Sequence, residues 1–387
     1  MSGIYLHIPF CKQACHYCNF HFSTSLRQKT PLLAALKREA SLQAHFLPPS
    51  QAVETIYIGG GTPSLLSAFE LNDLLEHLFG IFTIADKPEI TLEANPDDLL
   101  PEKIAELRHY TPINRLSIGI QSFFDADLLF MNRAHSANQA QQCLENAQNA
   151  GFDDLSIDLI YGTPTLGAEQ WEQNLMRAFT LGIPHLSAYC LTVEPRTALA
   201  QMVKTGKAMP VADEYAAQHF ASLVQMTKEA GYEHYEISNF CLPNRHSRHN
   251  SGYWAGTPYL GLGPAAHSFD GTTRQWNIAN NAAYIRAITT DQIPAEREQL
   301  STAQRFNEYV MTSLRTMWGC QLPIIEQRFG AAFRAHTQAI APKFIAQELM
   351  TQNDHTLTLS NKGKFLADGI ISDFMVTGAD VDLFVQT

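Results

Sequence analysis

The sequence contains no apolar run near the ~20 residues that cross a bilayer. Its longer ones, such as Leu155 to Tyr161, carry a charge inside, here Asp158. Charge itself is sparse. Only 17% of residues are charged against 45% hydrophobic, below the roughly 25% charged of an average soluble protein, which excludes disorder driven by self-repulsion. Basic residues are scarcer than acidic ones, 27 against 38, for a net charge of −11. That sign opposes binding to phosphate backbones, so nucleic acid is not an expected partner. No basic segment followed by an apolar stretch opens the sequence, because Cys11 stands where a signal peptide would keep its hydrophobic region. The expected address is the cytoplasm. Low-complexity tracts are missing, and no repeat is visible beyond a βα period.

Cysteine is also limited, at seven in 387 residues. An odd number argues against a disulfide framework, and the distribution is uneven. Cys11, Cys15 and Cys18 crowd together, while Cys143, Cys190, Cys241 and Cys320 are scattered. In a reducing compartment a tight group suggests metal and isolated cysteines suggest packing.

From the start to about residue 240, short β-branched or aromatic runs alternate with amphipathic stretches. The strand-like runs are 4–8, 55–58, 90–93, 115–120, 155–160 and 185–190, and the helical stretches are 31–46, 68–79, 101–109, 138–150 and 168–181. Six βα units predict a parallel sheet flanked by helices, either an open doubly wound sheet or an incomplete TIM-like barrel. Cys11, Gly59-Gly60-Gly61-Thr62, Glu93, Gln121, Asp158 and Tyr189 stand at or just after the strand ends. In either fold that places them on the C-terminal rim, where ligands bind. Beyond the sixth unit the pattern predicts a helix over 213–230, a strand over 232–237, and a loop rich in histidine, asparagine and aromatics over 239–269. The character changes near residue 290. A helix over 304–317, Leu357-Thr358-Leu359, and a helix over 364–374 suggest a small winged-helix-like module.

Three thiolates within eight residues of loop can converge on one metal centre. Zinc wants four closed ligands, and His7, His16 or His21 would have to supply the fourth. A [4Fe–4S] cluster has four irons, so three cysteines leave one iron open to an exogenous ligand. The C-x3-C-x2-C spacing fits neither zinc fingers nor ferredoxins, and it favours the cluster over zinc.

Tyr5-Leu6-His7-Ile8-Pro9-Phe10-Cys11 leads into Cys15 and Cys18, and Gly59-Gly60-Gly61-Thr62-Pro63 lies in the next unit. Together these resemble the radical S-adenosylmethionine (SAM) superfamily, and within it the oxygen-independent coproporphyrinogen III oxidase-like group. Further matches are Glu93-Ala94-Asn95-Pro96, residues 115–122, Asn132-Arg133, Asp158-Leu159-Ile160 and Gly261-Leu262-Gly263. The resemblance covers nearly the whole chain. It implies an α/β fold, a (β/α)6 partial TIM-like barrel over residues 1–240, with a barrel-completing haem-loop region over 241–290. A small C-terminal winged-helix-like α+β domain would occupy 291–387.

It also implies a [4Fe–4S] cluster on Cys11, Cys15 and Cys18 whose open iron chelates SAM. Tyr5, Tyr17, Gly60, Gly61, Thr62, Glu93, Gln121, Arg133 and Asp158 match the positions that contact SAM. The carboxylates suit its hydroxyls or ammonium, Arg133 its carboxylate, Tyr17 its adenine, and the glycines a close backbone approach. The porphyrinogen-decarboxylating members carry another cysteine two residues after the triad, where this sequence has Phe20, and an extension ahead of it. The resemblance therefore points to the haem chaperone branch, with oxidative decarboxylation of coproporphyrinogen as the alternative. A zinc-stabilised α/β binding module is a third reading. His249-Asn250-Ser251-Gly252-Tyr253-Trp254 matches that branch's H-N-x-x-Y-W pattern, which implies haem ligation by His249. Arg245 and Arg248 could meet propionates, and His246 and His267 are weaker ligand candidates. The implied partners are haem, acceptor haem proteins and an electron donor such as a flavodoxin.

Overall fold

A computed structural model describes residues 2–48, 50–210 and 212–377. The six predicted strand runs form β1 (Ser2–Ile8), β2 (Val53–Gly60), β3 (Ile84–Ala94), β4 (Arg115–Gln121), β5 (Asp154–Tyr161) and β6 (His185–Cys190), parallel and hydrogen-bonded in chain order. Helices Lys29–Leu42, Ala68–Ile81, Pro101–Tyr110, Ala137–Asn149 and Ala168–Thr180 return the chain between them. Two of these start on capping boxes, Ser67 with Glu70 and Ser136 with Gln139, which satisfy amide groups that the first turn leaves unpaired.

Alternation along the strands sorts side chains onto two faces. Ile4, Leu6, Ile8, Ile56, Ile58, Leu92, Leu116, Ile157 and Leu186 join the aliphatic core under the helices. Alternate positions such as Thr55, Thr91, Arg115, Ser117, Ser156, His185 and Ser187 are buried and polar. The barrel therefore has a polar bore, which is where a ligand site can be built.

The sheet does not stop at β6. It continues on one side through β8 (Asn239–Cys241) to β7 (Glu233–Glu236), both antiparallel. On the other side β9 (Tyr259–Leu262) pairs parallel to β1, followed by the antiparallel β10 (His267–Phe269), β11 (Thr273–Asn277) and β12 (Ala295–Gln299). The expected loop over 239–269 thus holds three strands and a helix, Arg248–Trp254. Glu39 explains how the extension is held. Its buried carboxylate accepts from Tyr284 Oη (2.6 Å), Asn277 Nδ2 (2.7 Å), Gly263 N (2.8 Å) and Gln43 Nε2 (2.9 Å), tying the first helix to β9–β11.

The sheet runs to Gln299, past the sequence boundary near residue 290, and a second core begins at Ala303 and reaches Val376. It packs helices Thr302–Leu314, Leu322–Phe329, Ala331–Ala346 and Ala367–Phe374 against β13 (Cys320–Gln321), β14 (Met350–Asn353) and β15 (Thr356–Leu359), a three-stranded antiparallel sheet. The two cores join at the exposed edge of β7. Ile237 N donates to Arg315 O (3.1 Å) and Met317 N to Tyr235 O (2.9 Å), covering an edge that would otherwise offer unpaired amides. Among the described residues no helix is long and apolar enough to cross a membrane.

Candidate functional site

Pro9 and Phe10 end β1, and the chain swings across the strand ends as the loop carrying the three cysteines. Two segments fix it. Cys11 N donates to Ser23 O (3.0 Å), closing the loop at its base. The stretch after helix Asp125–Phe130 holds its crown: His16 N donates to Met131 O (3.1 Å), Gln13 Nε2 to Asn132 O (2.7 Å), and Asn132 Nδ2 to Ala14 O (2.7 Å). Asn132 sits at φ 56°, a left-handed conformation that asparagine tolerates better than most residues.

Gly61 explains the glycine run. A Cβ there would lie 2.7 Å from Phe10 O and 3.0 Å from Cys11 Sγ. The close backbone approach that demands glycine at this position is to the cysteine loop.

A cavity of about 450 Å³ opens at the C-terminal ends of β1–β6. Cys11, Cys15, Cys18, Tyr17, Gly60, Gly61, Thr62, Glu93, Gln121, Arg133 and Asp158 all line it, so eleven residues singled out in the sequence share one wall. Tyr5 does not. Its hydroxyl meets His7 Nδ1 (3.1 Å) and the residue lines a neighbouring cavity.

The three cysteines are half-buried free thiols. Burial, opposed by a hydrogen bond with Thr62 and aided by the neighbouring thiols, pushes Cys11 up to about 11, and burial also raises Cys18. Thiolates in this loop therefore need a compensating cation. Among the described residues these three sulfurs do not group within 4.8 Å of one another, as ligation of a single ion would require. Each histidine that could have completed a zinc site has at least one ring nitrogen engaged elsewhere. His7 Nε2 meets His21 O (3.0 Å), His16 Nδ1 meets Phe130 O (2.8 Å), and His21 Nε2 meets Asn281 Oδ1 (2.7 Å). Three spread sulfurs that form no compact ligand group among the described residues suit a cube with one open iron.

The rest of the wall is electrostatically incomplete. Burial pushes the Glu93 carboxyl up to about 7, with Asp158 raising it further and hydrogen bonds from Tyr57 and Gly60 N (3.1 Å) opposing. Burial likewise lifts Asp158 to about 6, against Ser187, Arg115 and Arg133. Arg133 Nη2 donates to Asn95 Oδ1 (2.6 Å) and Gly119 O (2.8 Å), and Nη1 to Cys15 Sγ (3.4 Å), while its buried Nε has no hydrogen-bond partner. Two strained carboxylates and an arginine with a donor to spare fit a ligand that carries both an ammonium and a carboxylate. Gln121, at φ 64° beside a register shift between β4 and β5, is aimed into the same space by that irregularity. Asn95 and Gly119 were not singled out for roles in the sequence, although both lie inside motifs that were quoted.

A second cavity of about 1330 Å³ adjoins the first. Cys15, Cys18, Asn19, Phe20, Phe22 and Glu194 line both, so the cysteine loop is a partition between two chambers. The larger chamber holds the rings of Tyr253, Trp254, Tyr259 and Phe269, with His267 exposed on its wall. Arg305 and Arg328 come to it from the C-terminal domain.

His249 stands on helix Arg248–Trp254, not in an open loop. Ser247 caps the helix, and Glu89 of β3 accepts from Arg248 N (2.8 Å) and His249 N (2.9 Å). The ring is 3% exposed, stacks on Tyr57 (5.1 Å) and fills space left by Gly3, where a Cβ would come 3.3 Å from it. Nδ1 meets Thr55 Oγ1 (2.8 Å) and Nε2 meets Tyr253 Oη (2.9 Å). Both ring nitrogens of His249, the residue that the resemblance implies for haem, are thus hydrogen-bonded here, and the ring supports Tyr253. Arg248 is also committed, its guanidinium bonding Lys87 O (2.9 Å) and Glu54 (3.1 Å).

Comparison with known proteins agrees with this geometry. The model of the radical SAM superfamily matches residues 5–178, and that of the HemN C-terminal domain matches residues 300–366. The heme chaperone HemW of Mycobacterium tuberculosis is 36% identical over 376 residues, covering 95% of this chain and 93% of the relative. That of Bacillus subtilis is 29% identical, covering 97% and 99%. Among solved structures, the Escherichia coli radical SAM enzyme HemN, a coproporphyrinogen III oxidase, superposes with a TM-score of 0.83 at 23% identity, covering 96% of this chain and 89% of that one. The chain therefore has the HemN fold and belongs to the heme chaperone HemW family of radical SAM proteins.

Proposed function

We propose that this chain takes up haem and passes it to acceptor haem proteins. Cys11, Cys15 and Cys18 hold a [4Fe–4S] cluster beside SAM in the smaller chamber, and haem enters the larger one. The observation that carries this reading is the shared partition, which sets a cofactor-sized chamber with three cysteines against a wider aromatic one. When bound, the cluster and SAM supply redox chemistry. The chain's own residues position that pair: Arg133 Nε meets the ligand's carboxylate, Glu93 and Asp158 its positive charge, and Tyr17 its flat ring.

For the cargo, Tyr253 and Trp254 offer an apolar face, and Arg305 and Arg328 offer partners for propionates. His267 replaces His249 as the candidate for iron. Burial, and then Arg274, hold its imidazole below the usual histidine range, so near neutrality it carries the lone pair that a metal needs. Phe20 is 69% exposed on the partition. A ring without a thiol meets whatever enters, which favours carriage over the decarboxylation alternative.

Haem titration of the cluster-loaded protein tests the reading. A saturable Soret shift is expected at one haem per chain, altered in His267→Ala, followed by transfer to an apo haem protein. Turnover of coproporphyrinogen, or the lack of any transfer, overturns it.

A further inference from the structure

The cluster cysteines are not the only place where soft and hard ligands meet. Glu233 and Cys241 lie opposite each other on the antiparallel pair of β7 and β8, so their side chains share a face. Beyond Cys241 the chain turns back, with Asn244 at φ 64° and Arg245 N bonded to Leu242 O (3.0 Å), and this turn returns His246 over the same face. We propose that Glu233, Cys241 and His246 bind a single divalent cation of the zinc class, at a site separate from the cluster.

A carboxylate oxygen, the Cys241 sulfur and a ring nitrogen all lie within 4.8 Å of one another, the only such group of three among the described residues. Zinc bonds of roughly 2.0–2.3 Å in a tetrahedron set ligand atoms about 3.3–3.8 Å apart, so only a small closure is needed. His246 supplies an independent sign. Its Nε2 is buried and lies 3.1 Å from Glu233, yet it makes no hydrogen bond. A nitrogen this close to a carboxylate and misaligned for a proton between them is placed as a ligand is placed. Cys241 is fully buried, so a thiolate there would need a positive charge beside it. A divalent cation supplies that charge, because a thiolate and a carboxylate neutralise two positive charges and imidazole adds none.

The donor set is a borderline-soft mixture of sulfur, nitrogen and oxygen, which suits zinc better than magnesium or calcium. The Glu233 and His246 side chains are 38% and 25% exposed, leaving room for water in a fourth position. Around the site, His246 packs edge-on to Tyr235 (4.8 Å) and lies near Trp318 (5.7 Å) of the C-terminal domain. A bound ion would fasten the sheet edge to the turn that delivers Ser247, the cap of the helix carrying His249 and Tyr253. It is a brace on the larger chamber and does not depend on the haem assignment.

The test is anaerobic titration with Co(II) of the full chain carrying its reconstituted cluster, so that Cys11, Cys15 and Cys18 are occupied. One equivalent is expected to bind with a thiolate-to-cobalt charge-transfer band and tetrahedral ligand-field bands, and zinc should displace it. Cys241→Ser is expected to lose the charge-transfer band. His246→Asn, nearer the surface, keeps the metal-free melting temperature but binds roughly a hundredfold more weakly, since even outer-shell partners of metal sites are worth 10–100-fold. Zinc should raise the melting temperature of the parent protein and not that of His246→Asn. The proposal is overturned if the cluster-loaded protein binds no cobalt, or if Cys241→Ser and the parent give the same spectrum.

Discussion

Glu93 is a carboxylate that the fold has buried before its counter-ion arrives. With its pKa near 7, the acid is protonated below neutrality, whereas a ligand bearing an ammonium or sulfonium prefers it ionised. Binding must then release a proton. SAM affinity is expected to be full above pH 7 and to fall by up to about tenfold per pH unit as pH drops through 7, more steeply below 6 as Asp158 follows. Glu93→Gln should weaken binding and flatten the upper part of that profile, which equilibrium binding across pH 6 to 8 would reveal. A second residue-level expectation concerns Gly61. Because the added methyl of Gly61→Ala would collide with Phe10 O and the Cys11 sulfur, it should reduce cluster incorporation while the folded state persists, as read by iron content and circular dichroism.

At the level of elements, helix Arg248–Trp254 depends on contacts remote in sequence. Ser247→Ala should destabilise the protein by about 1 kcal/mol and speed amide exchange over residues 248–254, with little change elsewhere. This dependence also explains what could be read in advance. The βα units were legible because each helix carries its own amphipathic pattern and each strand its own aliphatic face, as Ile4, Leu6 and Ile8 do. The cysteine spacing and the polar strand ends were legible for the same reason, being local. The Arg248–Trp254 helix was not. It is seven residues long, contains Gly252, and is fixed by Glu89, 160 residues from His249. Strands β9 to β12 span three to five residues each, too short for alternation to stand out from chance. The pairing of His249 with Thr55 and Tyr253, a product of tertiary packing, therefore left no local signal.

On the scale of the whole molecule, two cores meet along the β7 edge, and Arg315 straddles the seam. It contacts Glu236 (3.2 Å) and Asp368 (3.2 Å) and lies 5.5 Å from the Trp254 ring centroid. The larger chamber draws walls from both sides of that seam, so it can change shape when the domains shift, whereas the smaller one belongs to the barrel alone.

The loop between the chambers has a further effect on how long the protein survives in air. Dioxygen entering the outer chamber would find Cys15 and Cys18 on its wall. A flat, greasy molecule seated there shuts that route. Cargo should then act as a stopper: bleaching of the brown chromophore on aeration is expected to slow when haem, or an iron-free porphyrin of the same shape, is present, and to be unaffected by either in a variant that no longer binds them.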